Sequence, residues 1–219
     1  PSVVLLDEPF SGLDAELRRK IRGDAIHLLK GAGAAALMVT HDPEEALFMS
    51  ERIAVMRDGR IEQQGAPKEL YDRPVSPYVA RFFSEINELP GVVRDGVVDT
   101  PLGAVPANGL PAGASALVMF RPEHLLIGDA AALHGRSVSG RVVFARWLGR
   151  TALIELRLPN GVDILARTAN MDLLAEGAEA AVALDPTRAL AFSTADEASI
   201  APPGANVGPA GLAIGGGLR

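Results

Sequence analysis

Cysteine is absent from the 219 residues. Disulfide staples and thiolate metal sites are therefore excluded, and a reducing compartment is the expectation. Positive charge is in short supply: 21 Lys and Arg face 27 Asp and Glu, a formal net charge of −6. A generic grip on nucleic acid needs a dense basic surface, so no nucleic-acid partner is expected. Long apolar runs are missing as well. No stretch reaches the roughly 18 to 20 apolar residues of a membrane span. The weakly polar segment from Gly31 to Thr40 is far too short. Aromatic residues make up only 5% of the chain. The G-x-x-x-x-G-K-[ST] pattern of a phosphate-cradling loop occurs nowhere.

What is present is globular in kind: 48% hydrophobic and 22% charged residues, in a chain long enough for one or two domains. Residues 1–85 alternate strand and helix patterns. Ser2 to Leu6 is a short apolar run. Asp14 to Lys30 carries Leu17, Ile21, Ala25, Leu28 and Leu29 at helical spacing, and Gly31 and Gly33 end it. Ala35 to Thr40 returns as a strand, and Asp42-Pro43-Glu44-Glu45 has the cap, proline and acids of a helix start. Ile53 to Gln64 folds back around Asp58-Gly59 as a hairpin, and short helices follow at Pro67–Tyr71 and Ser76–Phe83. Strands separated by helices predict an α/β domain with a mostly parallel sheet and a hairpin at its edge.

The pattern changes near Leu89-Pro90-Gly91. From there to Phe192 short strands alternate with Gly and Pro, and Pro159-Asn160-Gly161 marks a turn. These features predict a small all-β, barrel-like domain over 86–192. Residues 193–219, mostly Ala, Gly and Pro, read as a disordered tail. The chain opens at Pro1, inside a strand pattern, so it is expected to be part of a longer domain.

Chemistry concentrates in two places. In VVLLDEPFSGLD an apolar strand, expected to be central in its sheet, runs directly into Asp7 and Glu8. Ligands of open α/β sheets bind beyond the carboxyl ends of the strands, where both acids would stand. Adjacent residues on extended backbone point different ways, so the two should differ in role. One carboxylate suits Mg²⁺ beside a nucleotide's phosphates, and the other can orient a water for in-line attack. The alternative is a strand that ends in solvated acids, with Pro9 breaking it. The second place is Val39-Thr40-His41-Asp42, which a parallel sheet would bring to the same edge, one strand over. An imidazole there can bond to a γ-phosphate or to the attacking water. Of the remaining candidates, His27 reads as half-buried, and His124 and His134 lack metal partners at a recognisable spacing. The Arg18–Arg22 cluster reads as a solvated helix face and Trp147 as barrel core.

Together LLDEPFSGLD, VTHDPEEAL and RIAVMRDGRIEQQGAPKELYDRP resemble the second half of an ABC transporter ATP-binding subunit, of the bacterial importer type that serves ferric iron, polyamines and sugars. The first stretch is similar to that family's Walker B strand and D-loop, the second to its switch-histidine loop. FRPEHLLI and GRVVFARWLGRTALIELRL are similar to the TOBE domain that follows the ATPase core. The family's Walker A, Q-loop and LSGGQ-like motifs precede Walker B and are absent here.

The resemblance implies the C-terminal part of a P-loop ATPase domain over residues 1–85, followed by the TOBE domain. It implies ATP and Mg²⁺ as cofactors, with Asp7 helping to hold the ion through water. Glu8 would be the general base, and His41 would contact the γ-phosphate. Ser11 and Asp14 would bind nucleotide, with Asp14 reaching across a homodimer of two ATPase subunits; the Asp14 side chain can equally cap the helix that follows it. The implied partners are transmembrane permease subunits and, indirectly, a periplasmic solute-binding protein, at the cytoplasmic face of the membrane. NELPGVV and TPLGAVP lean towards ferric iron. The rival expectation is a non-catalytic module, in which the TOBE-type domain binds a small ligand or regulator.

Overall fold

A computed structural model describes residues 3–128, 137–169, 174–195 and 212–216. The described residues fall into two compact units, residues 3–84 with strand 212–216, and residues 85–195.

In the first unit β1 (Val3–Asp7) leads to α1 (Ala15–Gly31), β2 (Ala35–Thr40) and α2 (Pro43–Met49). The hairpin β3 (Ile53–Arg57) and β4 (Arg60–Gly65) follows, then α3 (Pro67–Asp72) and α4 (Pro77–Phe83). The helix starts follow capping chemistry. Asp14 caps α1 by accepting from the backbone N–H groups of Glu16 and Leu17, and Asp42 caps α2 in the same way at Glu44 and Glu45. The hairpin turns at Asp58-Gly59, both with positive φ (49° and 75°), as such a turn requires. Phe10, Met38, Ala46, Ile53, Val55, Leu70, Val79 and Phe83 form the core of this unit.

The second unit is all β. Its strands are β5 (Asn87–Arg94), β6 (Val97–Thr100), β7 (Gly103–Pro106), β8 (Ser115–Phe120), β9 (Leu125–Gly128), β10 (Val138–Trp147), β11 (Ala152–Arg157), β12 (Asp163–Thr168), β13 (Glu179–Leu184) and β14 (Leu190–Ser193). They build two five-stranded antiparallel sheets, ordered β14-β8-β5-β6-β7 and β12-β11-β10-β13-β9. Leu89, Val118, Phe120, Ile154, Leu156 and Val182 are among the side chains that fill the shared core. One side chain also joins the sheets through polar atoms. Asn87 on β5 donates from Nδ2 to the Leu165 carbonyl on β12 (2.8 Å), and the Leu165 N–H donates back to Asn87 Oδ1 (2.7 Å).

Several expectations are corrected. The first sheet runs β1-β2-β15-β3-β4, where β15 is Leu212–Gly216. Only the β1–β2 pair is parallel, because β15 lies antiparallel to both β2 and β3. Residues 212–216 were expected to be disordered. As a strand they satisfy backbone groups on the facing edges of β2 and β3 that would otherwise lack ladder partners. The remainder of the expected tail, 196–211 and 217–219, lies outside the described residues, as does His134. Among the described residues β1 is an edge strand and not a central one, which leaves Val3 and Leu5 exposed. Trp147 is 58% exposed, since it ends β10 at a turn and not within the core. His27 lies on the exposed face of α1.

Candidate functional site

The parallel β1–β2 register sets the geometry. Asp7 lies beside Val39, and the Glu8 N–H extends the ladder by donating to the Val39 carbonyl at 2.8 Å. Glu8 adopts φ 42°, a left-handed conformation that costs a non-glycine residue about 1–3 kcal/mol. It is held on one side by that ladder bond. On the other side, the turn closes through the Ser11 N–H to the Glu8 carbonyl (3.1 Å), with Phe10 buried beneath. Gly12 then takes φ 77°, which lets the chain reverse into the Asp14 cap.

The strained turn delivers the Glu8 carboxylate to His41, the first residue past β2. His41 Nδ1 stands 2.9 Å from Glu8 Oε1. Both side chains face solvent, at 57% and 37% exposure. The hydrogen bond to Glu8, reinforced by its negative charge, raises the imidazole pKa above its ordinary 6.5. A carboxylate and an imidazole in contact at the open edge of two parallel strands can take up and hold a proton from a bound water.

The other expected residues are placed differently. Asp7 ends β1, exposed, and among the described residues no hydrogen bond or ion pair engages its carboxylate. Among the described residues no group of three or more His, Asp or Glu could hold a metal ion unaided. A single free carboxylate does suit Mg²⁺, which keeps several waters and takes its remaining oxygens from phosphates. Ser11 is exposed in the turn. Asp14 is engaged as the α1 cap, its Oδ1 accepting from Glu16 N (3.0 Å) and Leu17 N (2.9 Å).

Sequence reasoning missed a polar cluster behind His41. Arg22 is buried, and Arg18 is half-buried. Both reach Asp42 Oδ2, at 3.4 and 3.3 Å, and Arg22 also lies 3.6 Å from Glu45 Oε1. Buried Glu45 accepts from the Thr40 hydroxyl at 2.6 Å. The signal was available: Arg18 and Arg22 are one helical turn apart, on the same face of α1, while Arg19 and Lys20 are exposed.

Residues 118–192 match the family model of the TOBE domain. The chain is a TOBE-bearing relative of the ATP-binding subunits of ABC importers. It is 41% identical over 168 residues to the spermidine/putrescine import ATP-binding protein PotA of Oleidesulfovibrio alaskensis, covering 72% of this chain and 45% of that protein. It is 42% identical over 159 residues to the Fe(3+) ions import ATP-binding protein FbpC of Agrobacterium fabrum, with 68% and 43% covered. The sulfate/thiosulfate import ATP-binding protein CysA 1 of Rhizobium meliloti is 37% identical over 193 residues, with 86% and 54% covered. The chain thus spans about half the length of these curated relatives.

Proposed function

We propose that this chain supplies the hydrolytic edge of an ATP-hydrolysing subunit of an ABC importer. The observation that carries the reading is the 2.9 Å contact of Glu8 with His41 at the carboxyl ends of two parallel strands. In this reading residues 1–85 are the later half of a P-loop ATPase domain and 86–192 the TOBE domain. Glu8 is the general base that accepts a proton from the attacking water. His41 steadies that carboxylate through Nδ1 and leaves Nε2 for a phosphate oxygen. Mg²⁺ bound with ATP would neutralise phosphate charge, and Asp7 is the residue that would hold it through water. The exposed Ser11–Asp14 turn faces nucleotide and a second ATPase subunit. Permease subunits in the membrane, and through them a periplasmic solute-binding protein, complete the assembly at the cytoplasmic face. Ferric iron is the proposed cargo, on NELPGVV and TPLGAVP. The relatives' names divide among polyamine, iron and sulfate, as fits a subunit that powers transport without binding the cargo.

The test uses a polypeptide that also contains a phosphate-binding loop, such as a fusion to the first half of the O. alaskensis relative. Glu8→Gln keeps the shape and removes the base, so turnover should nearly vanish while ATP binding survives. A kcat within about threefold of the parent, a barrier change under roughly 0.7 kcal/mol, would rule Glu8 out as the base.

A second reading, a module that binds a small regulatory ligand, is favoured by one feature of the β unit. A cavity of about 480 Å³ opens there between Thr100, Leu102, Val105, Ser137, Leu184 and Pro186. Ligand sites are mostly apolar concavities with a few polar groups, and this one has that composition.

A further inference from the structure

His41 is more than half exposed, and among the described residues Glu8 is the one side chain bonded to it. Its position must therefore be set by its chain neighbours, and both are fastened. Thr40 Oγ1 donates to Glu45 Oε2 (2.6 Å) and accepts from the Asp42 N–H (3.1 Å). Asp42 divides its carboxylate. Oδ1 accepts from the Glu44 and Glu45 N–H groups at the start of α2, and Oδ2 receives Arg18 and Arg22 from α1.

The two arginines differ in one respect. Arg22 spans Asp42 and Glu45, both on the α2 side. Arg18 donates from Nη1 to Asp42 Oδ2 (3.3 Å) and from Nη2 to the Leu13 carbonyl (2.9 Å). Leu13 lies between Gly12 and the Asp14 cap, so one guanidinium holds the Ser11–Asp14 turn and the residue next to His41. Its planar fork can serve both acceptors at fixed spacing, which a lysine ammonium on a flexible stem cannot.

We propose that Arg18 is a positioning residue that couples the Ser11–Asp14 turn to the His41 loop through Asp42. A displacement of the turn, for example when a neighbouring subunit presses on it, is then transmitted to the histidine and not absorbed between them. The inference rests on the proposed roles of Glu8 and His41 for its meaning in catalysis, though the linkage itself can be observed without nucleotide.

The experiment is solution NMR on the whole 219-residue chain, following the Gly12 amide and the His41 ring resonance, the latter assigned with His41→Gln. Arg18→Gln and Arg18→Lys should each move both signals beyond their linewidths. Arg22→Gln, which leaves the Arg18 fork on Leu13 and Asp42 in place, should move the His41 signal and shift Gly12 less than either Arg18 variant does. If Arg18→Gln does not fold, Asp42→Asn tests the link from its other end. Asparagine still accepts at the helix start but carries no charge to hold the arginines, and Gly12 should shift although it lies 30 residues away in sequence. A Gly12 amide that stays put in Asp42→Asn, or a His41 ring unmoved in folded Arg18→Gln, overturns the coupling. Either result leaves the hydrolytic reading intact, because that reading stands or falls on Glu8→Gln turnover.

Discussion

Glu8 Oε1 and His41 Nδ1 meet at 2.9 Å across 33 residues of sequence, and among the described residues neither side chain makes another side-chain bond. The contact is a product of register. Asp7 pairs with Val39, so the residues that leave the two strands emerge side by side. Glu8 must enter the left-handed region to face its partner.

The first prediction concerns the protonation of His41. Its pKa is raised by the Glu8 hydrogen bond and charge, so the imidazolium is bound more tightly in the folded chain than in the unfolded one. Any stability from this pair is present in full below the ordinary value of 6.5 and lost as pH rises through the raised folded value. NMR titration of the His41 ring should give a midpoint above 6.5, and Glu8→Gln should bring it down. An unchanged midpoint in the variant would show that Glu8 is not the cause.

The 219-residue chain alone should not turn over ATP appreciably. Positioning of the phosphates supplies most of the rate in phosphoryl transfer, and the sequence contains no phosphate-cradling loop to do it. A phosphate-release assay on purified chain is the check. Several turnovers per minute would contradict the proposed mechanism.

His124 gives the β unit an acid limit. It is buried in the turn Pro122–His124, and burial, with Arg188 next in weight, holds its pKa below the ordinary 6.5. The folded chain keeps it neutral where the unfolded chain protonates it. The linked stability is complete above 6.5 and declines as pH falls through that value towards the lower folded one. Asp185, held below its ordinary 3.8 mainly by the Thr187 hydroxyl, acts only in a much more acidic range. Urea midpoints measured from pH 7.5 down to about 5 should fall in the parent. His124→Leu should flatten that fall, and a parallel decline in both proteins would assign it elsewhere.

Core and surface substitutions should separate sharply in the same unit. Leu156 is fully buried, and Leu156→Ala should cost about 2–5 kcal/mol through lost transfer energy and a residual cavity. Trp147, the only tryptophan, is 58% exposed, and Trp147→Ala should change stability by about 0.5 kcal/mol or less. Chemical denaturation of both variants is the measurement. A loss at Trp147 as large as at Leu156 would mean that the indole is packed in solution.

Local chemistry was legible in the sequence and edge relationships were not. Asp14 and Asp42 announced their helices because a capping side chain acts within three residues. Asp58-Gly59 announced its turn for the same reason. The meeting of Glu8 and His41 followed from one assumption, that their strands are parallel neighbours, and the pairing bears out that geometry. The position of β1 at the edge could not be read from its residues, since a run of Val and Leu looks the same in either place. Nor could the pairing of β15, which depends on ladder groups of strands more than 150 residues earlier. The arginines of α1 looked like solvated charge because burial of Arg22 depends on Asp42 and Glu45, on another helix boundary.

The Asn87 carboxamide has a consequence for aggregation. β12 is the outer strand of its sheet, and a bare outer strand is a template on which a second molecule can add its own. Asn87 occupies both the donor and the acceptor of Leu165, so the template is interrupted at its middle. Aspartate there would offer no donor and leucine neither group. A buried side chain on one sheet thus closes two ladder groups on the outer strand of the other, and its replacement would reopen both.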